Sequence, residues 1–285
     1  MNKIQCIGAG FDLNYSSCSN KKPKTFSWTS EQMDNQVLVD RTILFSNQYQ
    51  KESTQKRYGW VCESTSIVPE VVEALIQYHD VIFDMGQFEG IFTCSEKLLQ
   101  LNERFLFCPP VSNLPWIPEE GWQMYPKSKN LSMFCSPKVM CEGHKFRHKI
   151  AQQNMSKLDL FGGAFNSPRI GISTDLNSKW NDKRDGLCDY RFHLVIENEQ
   201  EDNYYTEKLT DCFATGTIPV YWGCDNVGDF FDSRGILKFT EDFDFNILTE
   251  DLYEEMLPYA KNNLNSVKSL EMVDDAIGKN ILNKE

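Results

Sequence analysis

The chain has 285 residues, of which 41% are hydrophobic, 13% aromatic and 25% charged, with a formal net charge of −12. That length builds one large domain or two modest ones with real cores, and the aromatic content excludes a disordered chain. An acidic balance with no basic stretch longer than Lys21 to Lys24 excludes a nucleic-acid binder.

No run of about 18 apolar residues occurs, so no membrane span is expected. The opening MNKIQCIGAGFDLNY reads as a buried first strand and not as a signal peptide, which points to a cytoplasmic protein. The 10 cysteines form no CxxC pair and read as reduced, mostly buried thiols.

Short apolar runs alternate with amphipathic stretches, the pattern of an α/β fold. In chain order the predicted strands are Ile4 to Gly8, Val37 to Leu44, Gly59 to Cys62, Val81 to Phe83 and Phe105 to Cys108, then Leu131 to Cys135, Arg169 to Ile172, Phe192 to Ile196, Ile218 to Tyr221 and Gly235 to Lys238. Predicted helices are Pro69 to Tyr78, Ser95 to Leu101, Lys145 to Gln153, Thr206 to Ala214 and Thr249 to Asn262. The stretch Pro109 to Asn130 is rich in proline and turn residues and reads as a linker. The expected organisation is an N-terminal domain over residues 1–118, a linker over 119–130, a second domain over 131–265 and a helical tail over 266–285. Two parallel-sheet halves of this kind suggest a cleft between domains, with ligands at the carboxyl ends of strands.

The stretch FHLVIENEQEDNYYTEKLTDCFATGTIPVYWG, Phe192 to Gly223, carries the most chemistry. It reads as strand, polar loop, short helix opening near Thr206, a terminating Gly216 and a second strand: a βαβ unit whose loop and helix N-terminus face a ligand crevice. A helix N-terminus attracts anions. Lys208 in that first turn is either a solvated surface lysine or the partner of a bound anion such as a pyrophosphate. Glu207 is either a first-turn acid complementing the dipole or part of the same site. In CEGHKFRHKI, Cys141 to Ile150, Arg147 offers a planar guanidinium able to grip phosphate oxygens in bidentate fashion. His144 and His148 lie four apart on one helical face but lack a third metal ligand. Glu63, just past a predicted strand in YGWVCEST, is a candidate general base if burial raises its pKa, or else a cap for the helix beginning near Pro69. Asp84 and Glu89 are the reserve candidates.

The run IEN, a nine-residue step to Glu207, then YYTEK and GTIPVYWG, resembles the donor-binding signature of glycosyltransferase family 10, the α1,3/4-fucosyltransferases. Upstream, an SPK segment, Arg147 and a GG turn at Gly162 and Gly163 continue the likeness, which covers about Leu131 to Phe243. The resemblance implies a GT-B fold, with two Rossmann-like parallel-sheet domains facing a central cleft. It implies an inverting transfer of fucose from GDP-fucose to a hydroxyl of an oligosaccharide or glycoconjugate acceptor. By similarity Arg147 and Lys208 hold the diphosphate, Glu207 binds ribose or sugar hydroxyls, Asn198 and Tyr204 line the donor pocket, and Glu63 is the base. No cofactor and no metal are required, although the acidic loop Glu199 to Asp202 could hold Mn²⁺ or Mg²⁺. Position 196 departs from the family, with isoleucine where phenylalanine is usual. A GT-B enzyme using another nucleotide sugar and a non-catalytic glycan-binding module are the alternatives.

Overall fold

The computed structural model describes residues 1–18, 21–168 and 183–283. The predicted strand Arg169 to Ile172 lies outside the described residues. The chain forms two compact units. The first runs from Met1 to Asn113 and takes in Asp202–Tyr204 and the stretch from Glu271; the second comprises Leu114–Glu201 and Tyr205–Leu270.

The first unit is built on six parallel strands: β1 (Asn2–Ile7), β2 (Phe26–Thr29), β3 (Asn35–Val39), β4 (Lys56–Trp60), β5 (Phe88–Thr93) and β6 (Phe105–Phe107). Their spatial order is β2-β1-β3-β4-β5-β6. Every residue of β3 is buried, as a central strand covered on both faces requires. Helices α1 (Pro69–Gly86) and α2 (Glu96–Leu99) belong to this unit. The predicted strand Val81 to Phe83 is instead the last part of α1. A three-residue apolar run cannot separate strand from helix, and here the helix continues past Tyr78, whose φ of −132° marks a kink. Leu75 and Phe83 are buried while Val81 is exposed, a helical and not an alternating pattern.

The second unit carries β7 (Lys129–Phe134), β8 (Asp159–Phe161), β9 (Tyr190–Ile196), β10 (Ile218–Trp222) and β11 (Leu237–Lys238), also parallel, in the order β11-β10-β9-β7-β8. Helices α3 (Glu142–Asn154), α4 (Glu207–Thr215) and α5 (Glu250–Ser269) accompany it. One core gathers Leu131, Met133, Phe192, Leu194, Ile218 and Val220. Another gathers Val195, Tyr205, Leu209, Phe213 and Tyr221, so consecutive residues of β9 feed opposite faces.

The last helix, α6 (Val273–Leu282), belongs to the first unit. Val273, Ile277 and Ile281 are each fully buried, one helical stripe at four-residue steps. The buried Asp274 carboxylate accepts the Trp28 indole N–H at 2.7 Å and the Ser17 hydroxyl at 2.6 Å, which ties α6 to the neighbourhood of β2. The sequence gives β2, β5, β8 and α6 only weak signals, since each is short or interrupted by polar residues.

Both sheets follow one rule. The chain lays down a strand, places the next on one side of it, and then crosses over to continue on the other. The reversal falls between β1 and β3 in the first sheet and between β7 and β9 in the second. In open parallel sheets the carboxyl edge at such a switch point is where ligands bind.

Candidate functional site

At the β7/β9 reversal, the side chains form a buried charge network. Strand β9 ends at Ile196 and is followed by Glu197, whose side chain is fully buried. Pairing of β9 with β7 stops at Leu194, so the Ile196 carbonyl has no ladder partner on that side. Arg147, on α3, fills the gap. Its Nε and Nη2 donate to the Ile196 carbonyl at 3.0 and 2.7 Å, and Nη2 also donates to the Asn198 side-chain oxygen at 3.3 Å. The bidentate fork expected to grip a phosphate is therefore turned onto the strand end, because a buried carbonyl at a sheet edge must be satisfied. Nη1 takes no partner among the described residues.

Gly143 makes this docking possible. Its N–H donates to the Asn198 carbonyl at 2.9 Å. A Cβ on Gly143 would stand 2.0 Å from the Glu197 carbonyl oxygen, so only glycine lets the first turn of α3 approach the end of β9. The histidines are engaged in local contacts. His144 Nδ1 lies 3.2 Å from the Cys141 thiol, and His148 Nε2 lies 2.7 Å from the Ser136 carbonyl oxygen. Burial, with Arg147 adding to it, lowers the His144 pKa to about 4 and keeps that ring neutral. Among the described residues no group of three His, Cys, Asp or Glu side chains is arranged to hold a metal.

Thr206 is the N-cap of α4, and Gly216 ends that helix in the left-handed region at φ +66°. Glu197 accepts the Thr206 N–H at 2.8 Å and the Thr206 hydroxyl at 2.8 Å, so the strand end holds the helix start. Lys208 Nζ donates to the Thr206 hydroxyl oxygen at 2.8 Å and sits 3.2 Å from Glu197 and 3.6 Å from Glu207. It is not the solvated surface lysine that was one of the two readings the sequence left open. It is a mostly covered lysine, its side chain 24% exposed, whose charge is met by two carboxylates of the protein. Burial pushes the Lys208 pKa down, but Glu197 and Glu207 more than offset that, and it ends above its ordinary value. Glu207 is the mirror case. Burial pushes its carboxyl up, Lys208 and Lys183 pull it down further, and it ends below the ordinary glutamate range.

Three members of this network, Glu197, Lys183 and Asp211, escaped sequence reasoning. Glu197 was legible in part, as a lone acid ending a continuous apolar strand. Lys183 carried no local signal. Its Nζ lies 2.5 Å from Asp211 and 3.7 Å from Glu207, and 4.4 Å from the centre of the Trp116 ring. Asp211 in turn accepts the backbone N–H groups of Trp116 and Ile117 at 2.8 and 3.1 Å. Lys183 and Lys208 thus face Glu197, Glu207 and Asp211 around the first turn of α4. Of the residues expected to line the same site, Asn198 is half-buried beside Arg147, whereas Tyr204 is buried and grouped with the first unit.

Glu63 belongs to the first unit, just beyond the carboxyl end of β4. It is exposed, not buried as the base reading expected. It does not cap α1 either, since Val68 is the N-cap and no side chain caps that helix. Asp84 and Glu89 are not at a carboxyl edge: Asp84 lies inside α1 and Glu89 is the second residue of β5. The carboxylate missed here is Asp40, directly after β3. Its Oδ1 accepts the backbone N–H groups of Cys62 and Glu63 at 2.7 and 3.1 Å.

Residues 125–259 match the family model described as glycosyltransferase family 10 (fucosyltransferase) C-term. The chain is 34% identical over 67 residues to an alpha-(1,3)-fucosyltransferase of Helicobacter pylori, a segment that is 24% of this chain and 14% of that protein. It is 36% identical over 71 residues to an alpha-(1,4)-fucosyltransferase of Arabidopsis thaliana, 25% of this chain and 18% of that protein. The chain therefore spans less than a fifth of the length of these relatives. Among solved structures, an alpha1,3-fucosyltransferase with GDP superposes at a TM-score of 0.52 with 14% identity, covering 94% of this chain and 88% of that one. TarM superposes at 0.51 with 10% identity, covering 89% of this chain and 55% of that one. At such identities the likeness concerns fold alone, and the two Rossmann-like parallel sheets are those of the GT-B class. Over residues 125–259 the chain is thus similar in sequence to the C-terminal domain of glycosyltransferase family 10.

Proposed function

We propose that the chain is an inverting glycosyltransferase that moves fucose from GDP-fucose to a hydroxyl of a glycan acceptor, in the manner of the α1,3-fucosyltransferases. The observation that carries this reading is the cluster at the carboxyl end of β9 in the region similar to family 10. There Arg147, Lys208 and the start of α4 sit beside Glu197 and Glu207. The relatives named above act with fucose, and one solved neighbour holds GDP, which supports the choice of donor.

In this reading the acceptor oxygen attacks the anomeric carbon in one displacement. Its proton passes to the proposed base, the Glu63 carboxylate, and the bond from the anomeric carbon to GDP breaks with its electron pair leaving on the diphosphate. Negative charge then grows on the diphosphate. Arg147 Nη1, the Lys208 ammonium and the α4 N-terminus stabilise it without reorganising, because the protein already fixes them. Glu207, ionised below its usual range, accepts hydrogen bonds from donor hydroxyls. Asn198, beside Arg147, borders the donor. No metal is needed for this balance of charge.

The test is a thermal-shift panel of GDP, GDP-fucose, UDP and ADP, with and without EDTA. GDP and GDP-fucose should stabilise the protein by roughly 2.7 kcal/mol at a hundredfold excess over the dissociation constant, and EDTA should leave that shift intact. Equal stabilisation by UDP-sugars would favour another nucleotide sugar. Loss of the shift in EDTA with recovery in Mn²⁺ would assign the charge balance to a metal at Glu199, Glu201 and Asp202.

A further inference from the structure

We infer that Asp40 is a positioning residue: its carboxylate holds the backbone of Cys62 and Glu63 at the switch point of the first sheet, and so presents Glu63. This rests on the reading of Glu63 as the proton acceptor. The geometry is direct. Asp40 follows the last residue of β3, a strand that adjoins both β1, across the reversal, and β4, which leads into Glu63. One oxygen, Oδ1, accepts two successive backbone N–H groups, from Cys62 and Glu63, at 2.7 and 3.1 Å. A single acceptor binding two neighbouring amides fixes the direction in which the chain leaves β4, and with it where the Glu63 side chain begins.

The position costs stability in two ways that a purely structural residue would avoid. Asp40 has φ +49°, in the left-handed region where glycine is at ease and other residues are strained. Burial also raises its carboxyl to about 6, with the Cys62 and Glu63 amides and Arg41 opposing that rise and Glu63 adding to it. Glycine would remove the strain and asparagine the charge. What both lack is a charge-assisted acceptor for two amides at this edge. Strain and a perturbed carboxylate gathered on one residue at a ligand-binding edge mark a functional position. The neighbouring charges give Asp40 no competing role. Arg41 is paired with Glu70, and among the described residues no lysine, arginine or histidine forms an ion pair with Asp40.

The experiment compares Asp40→Gly and Asp40→Asn in the full chain. Three quantities are read: GDP affinity, GDP release from GDP-fucose in the presence of glycan acceptors, and hydrogen exchange at the Cys62 and Glu63 amides. Glycine suits the backbone angle, so Asp40→Gly should fold and bind GDP as the wild type does. Its two amides should exchange faster, and its kcat should fall roughly ten- to hundredfold with KM for GDP-fucose unchanged, as expected when a reacting group is misplaced by an ångström or so. Asp40→Asn keeps an oxygen in place and should restore most of both. Unchanged amide protection and unchanged kcat in Asp40→Gly would overturn the inference. If the wild type itself releases no GDP from GDP-fucose, the functional reading fails, while amide exchange in the two variants still decides whether Asp40 holds the loop.

Discussion

The two sheets share one topology and differ at the edge that topology exposes. In the second unit the reversal between β7 and β9 is filled by three cations and three carboxylates: Lys183 and Lys208 pair with Glu197, Glu207 and Asp211, while Arg147 binds the Ile196 carbonyl and Asn198. In the first unit the reversal between β1 and β3 carries Asp40 and, beyond β4, Glu63, neither in an ion pair among the described residues. The comparison separates what the fold supplies from what the residues supply. The fold supplies a carboxyl edge where strands end and backbone groups go unmatched. The residues decide whether that edge is suited to hold an anion or to take a proton.

The sharpest break of this comparison comes from Glu63→Gln. If the first edge exists to take a proton, the amide should leave GDP affinity near wild type and lower sugar transfer by roughly a hundredfold or more. Glu63 is exposed and caps nothing, so stability should hardly move. A glutamine variant that transfers at nearly the normal rate would remove Glu63 as the base, and the contrast between the two edges would lose its chemical meaning.

Next in size is Arg147→Ala. It removes a proposed contact to the diphosphate and also leaves the buried Ile196 carbonyl without its two donors. Loss of the charge-assisted contact should weaken GDP binding by roughly 1.5–3 kcal/mol, and the unsatisfied carbonyl should lower stability by about 1–3 kcal/mol. Lys208→Ala should weaken GDP binding by a similar amount, but its structural cost differs: it strips the countercharge from Glu197, whose side chain is fully buried. Isothermal titration with GDP beside urea denaturation separates the two effects. An Arg147→Ala variant that loses stability but binds GDP normally would make Arg147 a strand-end cap and nothing more.

Much of this could be read from sequence, and the misses have physical causes. The βαβ unit of β9, α4 and β10 was legible because an uninterrupted apolar run, an N-cap threonine and a terminating glycine mark its parts independently. Arg147, Glu207 and Lys208 were found, yet their internal partners were not. Lys208 pairs with Glu197 at a distance of eleven positions, and Lys183 reaches Asp211 across twenty-eight, so no local pattern reports either contact. The helical end of α1 was mistaken for a strand because Val81, Ile82 and Phe83 are too few to show a period. Asp40 was hidden inside the predicted strand Val37 to Leu44, which stops at Val39 because Asp40 turns to positive φ. The second edge is organised through charged side chains, which a sequence displays, whereas the first edge is organised through the backbone amides of Cys62 and Glu63, which every sequence possesses.

The smallest effect, and the one most specific to the comparison, is the sign of the pH dependence at the two edges. Asp40 has its carboxyl raised to about 6 in the folded state, from an ordinary value near 4. Between those values the native state holds more protons than the unfolded state, so stability falls as pH rises through the window. Replacing Asp40 with Asn should remove that slope, leaving the variant more stable relative to wild type at pH 7 than at pH 4. Glu207 has its carboxyl lowered, so its contribution is present above the ordinary glutamate range and is lost as pH falls through and below it. Glu207→Gln should therefore be less stable than wild type at pH 7, with the gap closing in acid. Asp211 and Asp274 are raised by burial as well, which is why whole-protein curves would mix the terms and differences between single variants are needed. Urea denaturation of the two variants and wild type from pH 3 to pH 8 yields two difference curves. They should slope in opposite directions. Curves of the same sign would mean that both edges treat their carboxylates alike, and the division of one edge for an anion and one for a proton would fall.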